Sequence, residues 1–142
     1  MQKFRLKGKI RFGNSWAWVE CPKDVGDYYV SVVKWLWGIK LSPPLNGPHI
    51  TLIAGKYEES VRLHPLWGAR EGQEVEFEYS GMMYEQSYWW LRIVEDSELR
   101  KIRMELGLTP ELKYPFHLTI GKDQNYPKKT LTSSTSLDIL EP

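Results

Sequence analysis

The sequence predicts an α+β fold of antiparallel sheets with flanking helices, built from a strand–helix–strand unit that occurs twice. Three observations carry this. Residues 3–12 alternate Lys3, Arg5, Lys7, Lys9 and Arg11 with Phe4, Leu6, Ile10 and Phe12, the period of a strand with one apolar face. Segments near 24–38 and 96–106 instead place apolar residues at helical spacing. Two runs, Pro48-His49-Ile50-Thr51-Leu52 and Phe116-His117-Leu118-Thr119-Ile120, repeat one another at corresponding places in the two halves.

In chain order, residues 16–20 (Trp-Ala-Trp-Val-Glu) read as a second strand. Asp24 suits a helix N-cap, with Asp27 in the first turn where the helix dipole favours a carboxylate. Val25, Tyr29, Val32, Val33 and Leu36 form the apolar stripe, and Gly38 suits the stop. Ser42-Pro43-Pro44 and Asn46-Gly47-Pro48 are turns leading into a strand at 49–54. Residues 56–72 suggest a short helical turn and a loop around His64. Glu74, Glu76 and Glu78 alternate with Val75, Phe77 and Tyr79, and this strand is expected to form a hairpin with 87–94. Its acidic face is set to pair with the basic face of 3–11, because opposite charges attract across neighbouring strands. Asp96 or Ser97 caps a second helix carrying Leu99, Ile102 and Leu106, ended by Gly107 and Pro110. A strand at 116–121 follows, then a polar tail with a last strand expected at 137–140. The units near 16–54 and 87–121, arranged about a pseudo-two-fold axis, would set the two His strands side by side in one cleft. No linker divides the 142 residues, so 1–142 reads as a single domain.

Charge is balanced at 19 Lys+Arg against 18 Asp+Glu, which argues against a duplex-DNA binder. No apolar run approaches membrane-spanning length, and the basic, alternating N-terminus is unlike a signal peptide. The single cysteine, Cys21, allows no internal disulfide and fits a reducing, cytoplasmic setting. It reads as a half-buried thiol at a strand end rather than a nucleophile. Seven Trp and eight Tyr are many for this length; most are expected in the core, with some surplus as stacking surfaces for bases.

The chain has three histidines and six threonines. Two His-x-Thr triplets among three histidines would arise by chance with odds of about 0.005. In a strand, residues i and i+2 share a face, so His49 projects with Thr51 and His117 with Thr119. Two imidazoles suit acid/base catalysis near neutral pH, since one can be neutral while the other is protonated. The hydroxyls of Thr51 and Thr119 can donate to the oxygens of a reacting phosphate. Either histidine could be acid or base. His64, followed by Pro65, has no such partner and reads as a packing or surface residue. The scattered histidines and one cysteine offer no zinc-ligand spacing, and no phosphate-cradling glycine loop is present, so neither metal nor cofactor is expected.

Paired His-x-Thr motifs within apolar flanks, His49-Ile50-Thr51-Leu52 and His117-Leu118-Thr119-Ile120, resemble those of the 2H phosphoesterase superfamily. The duplicated layout extends the resemblance over most of residues 16–121. It implies a two-lobed fold with the active-site groove between the lobes. It also implies a metal-independent phosphodiesterase acting on RNA-like substrates. The 68-residue spacing of the histidines is compact and is most similar to the small phage-encoded branch that hydrolyses cyclic di- and trinucleotide immune signals, the anti-CBASS nucleases. A phage-encoded member would act in the host cytoplasm. The alternatives are a 2′,3′-cyclic phosphodiesterase or RNA-end processing enzyme, and a non-catalytic nucleotide-binding protein.

Further substrate contacts are expected from Lys113 and Tyr114, just before His117, as a phosphate ligand and a stacking ring. Trp16, Trp18 and Trp67 are candidate base platforms, with core packing as the competing role of each.

Overall fold

The computed structural model describes residues 2–55, 58–85 and 88–124; the strand expected at 137–140 lies outside them. The elements run β1 (Lys3–Phe12), β2 (Ala17–Glu20), α1 (Lys23–Trp37), β3 (Leu41–Ser42), β4 (His49–Ile53), a 3₁₀ turn (Glu59–Leu63), β5 (Glu74–Glu85), β6 (Tyr88–Glu95), α2 (Ser97–Glu105) and β7 (His117–Asp123). All strand pairings are antiparallel.

The two-lobed expectation is overturned. Strand order is β3-β7-β4-β2-β1-β5-β6, and β6 pairs again with β7. The path β7-β4-β2-β1-β5-β6-β7 therefore closes a small six-stranded antiparallel barrel, with β3 added along β7. The described residues form no separate lobes and no inter-lobe groove. The reason lies in β1, which belongs to neither repeated unit. It pairs with β2 over Lys9–Phe12 and with β5 over Lys3–Lys9, joining the halves into one sheet. Closure also satisfies edge groups that two separate sheets would leave open.

Within this barrel the units keep their order. The β2–β4 and β6–β7 pairs are joined through β4–β7, so the two His strands are direct neighbours. Opposite charges meet on the β1–β5 ladder as the alternation suggests, with Arg5–Glu78 at 3.1 Å and Lys7–Glu76 at 3.8 Å. Gly8 is required where β1 crosses β2: a Cβ there would lie 2.5 Å from Val19 Cγ1 and 2.8 Å from Glu20 O.

Ile10, Val19, Ile50, Leu52, Phe77, Leu91 and Leu118 are among the fully buried residues of the core. Each such side chain contributes about 1.5–3 kcal/mol of transfer free energy. Tyr29 and Val33 of α1 and Leu99 and Ile102 of α2 join the same cluster. Helix α1 starts one residue before Asp24, after Pro22 and without a side-chain cap; Gly38 ends it at φ 70°. Asp96 precedes α2, but its carboxylate accepts from Arg100 at 2.9 Å instead of capping the backbone.

Arg103 of α2 is fully buried and tethers β4. Its guanidinium donates to Leu52 O at 2.9 Å and to Glu58 Oε1 and Oε2 at 2.9 and 2.6 Å. It also donates to Thr109 O at 2.9 Å. Among the described residues no helix is long and apolar enough to cross a membrane.

Candidate active site

The β4–β7 register sets His49 opposite Thr119 and Ile50 opposite Leu118; continued by one pair, it sets Thr51 opposite His117. Facing residues on paired strands share a sheet face, and so do residues two apart. His49, Thr51, His117 and Thr119 therefore occupy one patch, on the face opposite Ile50 and Leu118. All four are buried, and β4 is buried along its whole length on both faces.

The outer strands extend the patch into two rows. Along one, Trp18 of β2 faces Thr51, and His117 faces Arg92 of β6. Along the other, Glu20 faces His49, and Thr119 faces Trp90. Read in opposite directions, both rows run Trp, Thr, His and then a charged residue. Trp16 stacks on Trp18 (centroids 4.5 Å apart, planes at 29°), and Tyr84 stacks on Trp90 (4.6 Å, 19°). Trp90 and His117 meet edge-to-face, with ring centroids 5.3 Å apart and planes at 61°.

Both imidazoles are held by the same device. His49 Nδ1 lies 2.8 Å from Gly47 O, and His117 Nδ1 lies 3.0 Å from Pro115 O, each a carbonyl two residues back. A carbonyl only accepts, so each Nδ1 carries the proton and donates it. Nε2 is then the basic nitrogen on both rings. Burial pulls both histidines below the ordinary imidazole pKa; the carbonyl bonds act the other way. The charge of His49 depresses His117 further, so the two rings sense one another. Among the described residues the Thr51 hydroxyl is buried with no hydrogen-bond partner, as are the indole N–H groups of Trp89 and Trp90. Buried donors normally find acceptors, and two orphans on one patch are unusual.

Comparison with protein-family models, curated proteins and solved structures finds no match to this chain. The site is therefore read from its own geometry.

Of the further expected contacts, Trp16 reaches the flank of the patch through its stack on Trp18. Trp67 packs edge-on against Phe12 at 4.8 Å and joins the hydrophobic core, the packing role. Lys113 is exposed, its ammonium 5.5 Å from the Tyr114 ring centroid, in the segment ending at the Pro115 carbonyl that holds His117. His64 Nδ1 accepts the Leu66 N–H at 3.1 Å, a turn contact. Cys21 is buried, and desolvation pushes its thiol pKa far up, which leaves no thiolate for nucleophilic use. Sequence reasoning missed Trp90, Tyr84, Arg92 and Glu20. Their alternation within strands was visible, but not which strand lies beside which.

Two cavities touch the charged ends of the two rows, and neither is lined by His49, Thr51, His117 or Thr119. One, of about 690 Å³, lies between β1, the start of α1 and the 43–48 turn, and is lined by Glu20 and Gly47. The other, of about 300 Å³, is lined by Arg92 and Pro115. Each is lined by the residue whose carbonyl holds one histidine and by that histidine's cross-strand charged neighbour.

Proposed function

We propose that this protein is a phosphodiesterase that cleaves RNA-like phosphodiesters carrying a neighbouring 2′-OH, using His49 and His117 as its acid/base pair. The observation that carries the reading is the matched tethering of the two imidazoles on adjacent, register-locked strands, each leaving Nε2 as the working nitrogen.

The chemistry follows from that pair. One neutral imidazole takes the proton from the 2′-OH as O2′ attacks phosphorus. The other, protonated, gives its proton to the departing 5′-oxygen as the P–O5′ bond breaks. The products are a 2′,3′-cyclic phosphate and a 5′-OH. Water then opens the cyclic phosphate by the same transfers with the roles exchanged. Each such group typically contributes 10²–10⁴-fold. The hydroxyls of Thr51 and Thr119 donate to the non-bridging oxygens, where charge accumulates. The orphan hydroxyl of Thr51 supports this role, since a phosphate oxygen would supply its missing acceptor. Neither proton transfer requires a metal. The leading substrates are cyclic di- and trinucleotides.

Incubation with 3′,3′-cyclic dinucleotides in EDTA should give linear product, and His49→Ala and His117→Ala should each lower turnover by at least 100-fold, the low end of the range for one acid or base. Activity that needs added metal, or that survives both substitutions, would refute the proposal.

A further inference from the structure

We infer that Trp18 and Trp90 are two base platforms, so that the substrate carries a nucleobase on each side of the scissile phosphate. This inference rests on the phosphodiesterase reading and names its substrate class: at least a dinucleotide unit, in preference to a mononucleoside 2′,3′-cyclic phosphate.

The placement is quasi-symmetric. In each half, the strand outside the His strand sets a Trp across from the motif threonine, Trp18 across from Thr51 and Trp90 across from Thr119. Each Trp is half-buried and already stacked on a second ring, Trp16 or Tyr84. None of these four rings belongs to the hydrophobic core, whereas Trp67 and Trp89 do. The apolar core therefore does not account for them. Flat, partly open rings beside hydrogen-bond donors are the means by which proteins hold single-stranded bases, because every base has a π-face.

The two platforms flank the site: Trp18 stands on β2 and Trp90 on β6, with the His strands β4 and β7 between them. A phosphate held between the histidines therefore has one platform on each side. A mononucleotide would occupy one platform and leave the other bare. The charged neighbours break the symmetry: His117 faces Arg92 and His49 faces Glu20, whose carboxylate already accepts from Arg11 at 3.1 Å. The two ends of a bound strand thus meet different charges.

The test measures binding and turnover separately. Titration calorimetry uses a 3′,3′-cyclic di-2′-deoxyadenylate, which lacks the attacking hydroxyl, beside 2′-deoxyadenosine 3′-monophosphate, with wild type, Trp18→Ala, Trp90→Ala and the two Trp→Phe variants. Each Ala variant should weaken dinucleotide binding by roughly 5- to 150-fold, the worth of stacking one base, and Phe should restore part of it. The mononucleotide should lose affinity with only one of the two Ala variants. The inference is overturned if neither Ala variant weakens dinucleotide binding, if both weaken the mononucleotide equally, or if wild type hydrolyses adenosine 2′,3′-cyclic phosphate as efficiently as cyclic di-adenylate. If no 2′-OH substrate is cleaved but the two-platform binding pattern appears, the phosphodiesterase reading fails while the platforms stand.

Discussion

Arg103→Met probes how the strand bearing His49 and Thr51 is held. The wild-type guanidinium is fully buried and satisfied by Glu58 and by the carbonyls of Leu52 and Thr109. Methionine keeps an apolar stem but leaves behind a carboxylate that is only 17 % exposed, together with the backbone acceptors of Leu52, Thr109 and Glu111. Removing one partner of a buried pair costs about 3–5 kcal/mol, because the charge left behind loses its compensation. Against the roughly 5–15 kcal/mol of a typical domain, that is a large fraction. The unfolding entropy of 142 residues is about 0.3 kcal/mol/K, so Tm should fall by about 10–17 °C. Urea and thermal denaturation of wild type, Arg103→Met, Glu58→Gln and the double variant would measure this. The double variant should lose less than the sum of the singles, since neutralising Glu58 removes the stranded charge. A single-variant loss below about 1 kcal/mol, or strict additivity, would refute the reasoning.

Two further outcomes bear on the chemistry. Thr51→Val, close in shape, should lower kcat by about 10²–10³-fold if the hydroxyl donates to the reacting phosphate. Its stability should hold or rise, because the hydroxyl has no partner to lose among the described residues; loss of stability with activity kept would assign Thr51 to structure. The pH profile of kcat/KM should be bell-shaped, with the singly protonated His pair as the active form. Burial lowers both histidines, so both limbs shift down and the maximum should fall below about pH 6.5. A maximum at or above pH 7 would contradict the desolvated pair.

The elements themselves were largely legible in the residues. Alternation placed β1 and the acidic strand β5, and helical spacing placed Tyr29, Val33, Leu99 and Ile102 on buried faces. Gly38 ended its helix as a left-handed cap because only glycine enters that region without strain. Caps were less legible: Asp24 has the right chemistry but lies inside the first turn of α1, which starts at Lys23, and the Asp96 carboxylate binds Arg100 instead. Local pattern describes what a segment buries and not what it pairs with. The lobed architecture failed on that distinction, since a strand like β1 has hydrogen-bonding groups on both edges and its sequence names no neighbour. The same limit hid Trp90 and Arg92, which join the site only through the β6–β7 register.

By itself, the sequence determined the chemistry available to this protein: two imidazoles and two hydroxyls, each pair on one strand face by the two-residue period of a β-strand. Tertiary structure decided that the pairs form one patch, because β4 and β7 lie side by side with His49 opposite Thr119. It also decided the tautomers, through two carbonyls, and the company of Trp18 and Trp90, through pairing with β2 and β6. Strand period is a local property of the backbone, whereas register and closure depend on contacts among distant segments, which no short stretch of residues specifies.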